Sequence, residues 1–341
     1  MNFDLLKTIV ETPGAPSHEG GIRSLIESKI QNIADEYYTD GIGNLIVRRK
    51  GSGKKLMIAA HLDEISLITT KVDGNGFIRF STLGGFDPET LITQRVIVHG
   101  KNDLPGVIGS KPIHIQSDEE KKTKSKLKNL FIDIGLQAEQ VKSLVPDGSP
   151  VTRKGDLTQI GDCISGKSLD NRISLYMLTE ALNQAGKCDI DLYAVFTTQE
   201  EVGVRGARVA ANSIQPDIGL ALDITLANDL PGVEEQDQCT KLGKGIGIKI
   251  MDKSILCTPS LVSFIEKTAK EYNIPYQREV LTAGGTDTSA MQYLMGIGSH
   301  VGCLSCPTRY VHSTVEMCAI NDIDNGINLL KLFIETAHKY E

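Results

Sequence analysis

The stretch Asp191-Leu192-Tyr193-Ala194-Val195-Phe196-Thr197-Thr198-Gln199-Glu200-Glu201-Val202-Gly203 constrains the fold more than any other part of the chain. Its apolar, β-branched and aromatic run reads as a buried strand. The run stops at two adjacent carboxylates, with a glycine soon after. Neighbouring anions at the end of a buried strand repel each other and resist desolvation unless a cation or a proton compensates. A division of labour resolves the conflict. One carboxylate binds a metal, and the other stays free to move protons beside it. This reading predicts ligand-type residues at the ends of other buried strands.

The chain supplies them. Leu56-Met57-Ile58-Ala59-Ala60 leads into His61-Leu62-Asp63-Glu64. His61 and Asp63 are two apart, so on extended chain they face the same side. A metal-bound histidine commonly gives its other N–H to a carboxylate, and Asp63 is placed to accept it. A core histidine followed by a surface acid fits the same residues. Ile218-Gly219-Leu220-Ala221-Leu222-Asp223 is a third apolar run ending in an acid. Asp170 opens a helix predicted over Asn171 to Ala185, where it fits either a cap or a ligand. His312 lies in the loop Thr308 to Ser313, after a strand predicted over Ile297 to Cys303. His61, Asp170, Glu201, Asp223 and His312 are N and O donors of the kind that zinc, Co²⁺ or Mn²⁺ accept. If one carboxylate bridges, these five serve two metals with three ligands each. Glu200 is then left as the free base.

Elsewhere, helices are predicted over Asp4 to Val10 and Ile22 to Ile33, with Ser17 as N-cap of the second. Asn44 to Arg48 and Gly247 to Ile250 read as strands. Helices follow at Ala207 to Ala211, Ser260 to Tyr272, from Asp287 to near Gly296, and Asn321 to Lys339. From about residue 70 the texture becomes β-rich. A hairpin over Val72 to Phe80 and short strands at Val96 to His99 and Ile113 to Ile115 are divided by Gly and Pro. Leu130 to Ile134 and Leu157 to Ile160 continue the pattern. Asp118 to Lys128 reads as a solvated loop. His99 and His114 are placed on strands without a chemical role, and His18 in an exposed loop. The expected organisation is an α/β layered domain over 1–69 and 165–341, with an inserted β domain over 70–164. In such layered domains, sites form outside the carboxyl ends of the strands.

Composition narrows the classes of function. The 341 residues suffice for one large domain or two. A net charge of -7 argues against nucleic acid or an anionic membrane as the main partner. No apolar run approaches the roughly 20 residues of a membrane span, and the start lacks a signal-peptide pattern. A cytoplasmic protein is expected. Seven scattered cysteines argue against a disulfide framework. Cys303-Leu304-Ser305-Cys306 has redox or zinc spacing without a second pair, so buried thiols are expected there.

Six motifs together resemble one family: His61-Leu62-Asp63-Glu64, Leu169-Asp170-Asn171-Arg172, Gln199-Glu200-Glu201-Val202-Gly203, Leu222-Asp223, Gly284-Gly285-Thr286-Asp287 and Arg309-Tyr310-Val311-His312-Ser313. Their order and spacing are similar to those of the tetrahedral, dodecameric metallo-aminopeptidases. That group contains the deblocking and glutamyl aminopeptidases and belongs to the co-catalytic di-zinc exopeptidases. The resemblance implies a three-layer α/β/α catalytic domain with an inserted small β-barrel-like, PDZ-like domain for dimerisation and assembly. It implies two divalent metals per subunit, zinc first, with Asp170 bridging. His61 and Asp223 complete one site, and Glu201 and His312 the other. Glu200 becomes the general base and acid, and Asp63 orients His61. It further implies a non-proline cis bond at Asp170–Asn171, peptide substrates with a free N-terminus, and dimers assembling into a dodecamer. Asn171 stands where many members of the family have a second Asp.

Gly285, Thr286 and Arg309 are candidate substrate contacts. Arg309 fits equally an ion pair with an acid at a subunit contact, and Thr286 equally a helix cap. Two other activities fit parts of the pattern. One is a deacylase on the same metal scaffold, recognising a free carboxylate. The other is a glucan hydrolase, which needs two carboxylates flanking the bond and usually no metal. A non-catalytic assembly protein fits least, because Glu200 and the ligand set are intact.

Overall fold

The computed structural model describes residues 1–294 and 297–341. Three parallel strands form its centre. Lys55–His61 lies between Asp191–Thr197 and Ile218–Leu226, and His300–Arg309 continues the parallel set beyond Ile218–Leu226. Parallel strands place their carboxyl ends on one side, which is where the acids of the sequence motifs emerge. Antiparallel strands extend the sheet at both edges to eleven strands among the described residues.

Side chains alternate between the two faces of this sheet, as period two requires. Leu56, Ile58 and Ala60 enter the larger core, while Met57 and Ala59 enter a smaller core on the opposite face. The larger core is covered by helices Phe3–Glu11, Gly20–Ile30, Leu169–Gln184, Pro259–Glu271 and Ile320–Thr336. The smaller is covered by Arg205–Ile214 and Thr288–Gln292. A sheet buried on both faces explains the near-continuous apolar runs of the central strands.

The insertion is a closed six-stranded barrel. Its strands are Ser66–Val72, Ile78–Leu83, Arg95–His99, Asp103–Gly109, Phe131–Asp133 and Pro150–Arg153. They enclose a separate core that includes Leu67, Ile78, Val96, Val98, Ile132 and Val151. The barrel thus starts before residue 70. Thr158–Ile160, expected inside the insertion, instead joins the edge of the large sheet through Cys163–Gly166, which spans the expected boundary at 164.

Several local expectations differ from the structure. Ile113–Ile115 is a 3₁₀ turn rather than a strand. Its alternating isoleucines are 62% and 66% exposed, so the apolar pattern has no sheet to face. Within Asp118 to Lys128, Asp118–Lys122 forms one helical turn closed by a capping box from Ser117. Ser17 does not cap the second helix. That helix starts at Gly20, and Ser17 sits at φ 70°. The strand placed at Ile297 to Cys303 runs from His300 to Arg309. The described helix after Asp287 covers Thr288–Gln292, and its expected end near Gly296 lies outside the described residues. Cys303 and Cys306 are buried free thiols.

Candidate metal centre and active site

The turn after strand Asp191–Thr197 is held by side chains from three other segments. Four consecutive backbone N–H groups are taken in order. Thr198 N–H donates to Asn44 Oδ1 at 3.0 Å, and Gln199 N–H to Glu19 Oε1 at 3.1 Å. Glu200 and Glu201 N–H donate to the two carboxylate oxygens of Asp63, at 2.9 and 3.1 Å. This anchoring fixes a turn in which Gln199 adopts φ 55°. It sends the Glu200 and Glu201 side chains toward the carboxyl ends of the neighbouring strands.

Those ends carry the other residues singled out in the sequence. His61 closes the central strand. Its Nδ1 lies 3.0 Å from the carbonyl oxygen of Asp63 and 3.5 Å from its carboxylate. A carbonyl can only accept, so Nδ1 carries the proton and Nε2 is free to ligate. Asp63 therefore orients His61 chiefly through its main chain, while its carboxylate holds the Glu200–Glu201 turn. Asp223 comes from the strand Ile218–Leu226, and its Oδ1 lies 4.0 Å from His61 Nε2. His312 follows strand His300–Arg309 at φ 64°.

Asp170 stands between the two histidines. Its Oδ1 lies 3.2 Å from His61 Nε2, and its Oδ2 3.4 Å from His312 Nε2. Glu201 Oε2 lies 3.7 Å from His312 Nε2. Asp170 is not a helix cap. Its carboxylate oxygens face the two histidines instead of a helix N–H, with Oδ1 accepting no hydrogen bond, and its backbone N–H donates to Glu316 Oε2 at 3.0 Å. The Asp170–Asn171 peptide is cis, and Asn171 Nδ2 donates to the Leu222 carbonyl at 2.9 Å.

Two groups of ligand atoms result, His61–Asp170–Asp223 and Asp170–Glu201–His312, with the atoms of each within 4.8 Å of one another. Asp170 belongs to both. Among the described residues, Asp170 Oδ1 and Glu201 Oε1 are buried without a hydrogen-bond partner. Buried carboxylate oxygens are costly to leave unsatisfied. An orphaned Asp170 oxygen beside His61 Nε2, and another on Glu201, in a set of N and O donors, fit divalent metal ions. Glu200 is in neither group, and its Oε2 lies 3.9 Å from His61 Nε2.

The electrostatics without metal agree with that fit. Burial raises Glu201 well above the carboxylate range, and the Asp170 and Glu200 charges add to it. Burial, then Asp170, raises Asp223 to about 8. Burial also raises Glu200 well above its ordinary value, against the pull of His61. For His61 burial acts downward, but Asp170 and Asp63 outweigh it and the imidazole is raised. Acids crowded and buried in this way favour a divalent cation, which would take the place of their protons.

A cavity of about 510 Å³ opens onto these groups. Gly284, Gly285, Thr286, Leu281, Ile224 and Leu226 are among its walls. Gly285 and Thr286 thus line the cavity, and Thr286 Oγ1 also accepts from Thr288 N–H at 3.3 Å. Arg309 is not in the cavity wall. Its guanidinium forms a paired contact with Asp229, at 2.9 and 2.7 Å, within the same chain. Sequence reasoning missed Lys249, a buried ammonium in the cavity wall held by Glu279 at 2.6 Å and Asp252 at 3.4 Å. It also missed Asn44, Glu19, Glu316 and Arg153, whose partners lie far along the chain. His18 and His99 lie outside the site, and His99 bonds Asp103 and Thr152.

A doubly covered α/β sheet that gathers imidazoles and carboxylates at its strand ends defines a metal-dependent hydrolase. The description "M42 glutamyl aminopeptidase" matches residues 43–329. The chain belongs to that family of peptide hydrolases. It is 41% identical, over 96% of its length and 97% of the relative's, to a protein of Acetivibrio thermocellus with a provisional aminopeptidase name. The TET aminopeptidase of a marine sediment thaumarchaeon superposes with a TM-score of 0.95 at 31% identity, covering 99% of this chain and 98% of that one. The TET1 peptidase of Pyrococcus horikoshii, described as able to assemble into a tetrahedron or a large octahedral shell, gives 0.87 at 32%, covering 97% and 98%. Among the described residues, no helix is long and apolar enough to cross a membrane.

Proposed function

We propose that the chain is a di-metal aminopeptidase that removes N-terminal residues from peptides. The observation that carries this reading is the pair of three-donor groups sharing Asp170, with Glu200 beside them but in neither. On this reading His61, Asp170 and Asp223 hold one divalent ion, and Asp170, Glu201 and His312 the other. Zinc suits the donors best, and cobalt or manganese also fits. Bound metals supply Lewis acidity, which lowers the pKa of water and polarises the scissile carbonyl. Glu200 takes the proton from the attacking water and delivers it to the leaving amine. Asp63 keeps Glu200 in place through the Glu200 N–H. Gly285 and Thr286 face the substrate from the cavity wall.

Assembly belongs to the same reading. The fold shared with TET1 of Pyrococcus horikoshii supports a homo-oligomer, with a dodecamer built from dimers as its specific form and the barrel as an assembly module. A cytoplasmic location suits such a shell. The test combines metal analysis with aminoacyl-p-nitroanilides, using acetylated amino acids as the deacylase control, on wild type and Glu200→Gln. The expected outcome is two metals in both proteins and a turnover lower by about 10²–10⁴-fold in the variant. A variant of near-full activity would contradict the role given to Glu200. Cleavage of the acetylated amino acids alone would contradict the aminopeptidase reading.

A further inference from the structure

The loop carrying His312 is held by the inserted barrel as well as by the catalytic domain. His312 has φ 64°, a conformation that residues with a Cβ adopt reluctantly. Both polar groups of its main chain are gripped by side chains. Its N–H donates to Glu316 Oε1 at 2.7 Å, and its carbonyl accepts from Arg153 Nη1 at 2.9 Å. Glu316 uses its other oxygen to accept the Asp170 N–H at 3.0 Å. One carboxylate therefore ties together the backbones of two residues from the same ligand group. Arg153 comes from the barrel strand Pro150–Arg153. The same loop meets the barrel again where Thr314 Oγ1 donates to Gln94 Oε1 at 3.1 Å.

Arg153 is unusual for a buried cation. It is 2% exposed, and among the described residues it forms no direct ion pair, although the charges of Glu316, Glu64, Glu201 and Asp170 act on it. Among the described residues its Nε and Nη2 have no hydrogen-bond partner, and the group lies over the Phe86 ring, 5.3 Å from its centroid. The bond to the His312 carbonyl is thus the polar contact its buried guanidinium makes. Burying a cation is costly, and a packing role alone is better served by an apolar side chain.

We infer that Arg153 and Glu316 are positioning residues for the divalent cation held by Asp170, Glu201 and His312. The barrel then helps to build one metal site and not the other. This rests on the two-metal reading above. Groups that orient metal ligands commonly change metal affinity by about 10–100-fold when removed. Arg153 bonds His312 alone of the five donors, so for its variants the His61–Asp170–Asp223 site is the internal control; Glu316 also holds the N–H of Asp170, which belongs to both groups.

The experiment is zinc titration by calorimetry, with zinc counted per chain after gel filtration, on the full-length protein. Wild type, Arg153→Met, Arg153→Lys, Glu316→Gln and His312→Ala are compared. Circular dichroism reports whether each variant is folded. Wild type is expected to hold two zinc ions. Arg153→Met should keep one tightly and hold the second about 10–100-fold more weakly, a milder form of the His312→Ala result; Glu316→Gln should weaken that same ion most and the other less, through the shared Asp170. Arg153→Lys, which keeps a donor, should recover part of the affinity. A merely structural role would lower the melting temperature without changing the ratio of the two sites. Two zinc ions bound with wild-type affinities in both Arg153→Met and Glu316→Gln would overturn the inference, as would equal weakening of both sites in Arg153→Met. A wild-type protein that binds fewer than two ions overturns the two-metal reading itself. Because Arg153 and Glu316 lie on different elements, failure of one variant to fold leaves the other to decide.

Discussion

Replacing Asp63 with Asn separates holding the catalytic turn from binding metal. The Asp63 carboxylate is fully buried and accepts the Glu200 and Glu201 N–H groups at 2.9 and 3.1 Å. Asparagine keeps the shape but offers one acceptor oxygen and turns an NH₂ toward the other N–H. One backbone donor then loses its partner, at a cost of about 1–3 kcal/mol. The surviving bond loses its charge assistance, worth about another 1 kcal/mol. The total is about 2–4 kcal/mol. If about 3 kcal/mol of it is felt at the position of Glu200, kcat/KM falls by about 100-fold. His61 keeps its donor bond to the Asp63 carbonyl, which the substitution does not touch. The expected outcome for Asp63→Asn is therefore a kcat/KM lower by about 10–100-fold with two metals still bound. The assay is aminoacyl-p-nitroanilide hydrolysis, normalised to metal content. Activity within about twofold of wild type, at equal metal content, would refute the reasoning, because the turn would not need the carboxylate.

Metal binding should release protons, because burial leaves Glu201 raised and Asp223 raised to about 8 when no cation is present. Affinity for zinc should therefore climb as pH rises toward 8, and titrations in buffers of different ionisation heat should show net proton release; heats independent of the buffer would count against it. The sign for stability is opposite. A folded pKa above the unfolded one makes ionisation oppose folding, so the chelated protein should melt at progressively lower temperature as pH rises through about 8, by calorimetric scan. Lys249→Met should lower the melting temperature sharply, since it strands buried Glu279 and Asp252 without their cation, at about 3–5 kcal/mol. Adding Glu279→Gln should recover part of the loss, and an unchanged midpoint in the single variant would contradict the pairing.

What the sequence disclosed, and what it hid, follows from distance along the chain. His61, Glu200, Glu201 and Asp223 were legible because each ends or follows an apolar run, and a run is a local signal. Asp170 was ambiguous, since an acid at the start of a helix looks like a cap whether or not it ligates. The supports were invisible for a different reason. Glu316 meets Asp170 across 146 residues, Arg153 meets His312 across 159, and Glu19 meets Gln199 across 180. Nothing in the neighbourhood of a lone buried Arg or Glu announces such a partner. Arg309 left two readings open for the same reason, because Asp229, its partner, lies 80 residues away. Ile113 and Ile115 misled by alternation alone, since period two predicts a strand only where another strand is free to pair.

The donor groups also fix an order of events during synthesis. The residues of the first, His61, Asp170 and Asp223, have all left the ribosome long before His312. Only that group can then offer three donors. The companion group gains its third donor, His312, last of the five, so both groups are complete only after the strand His300–Arg309 has been made.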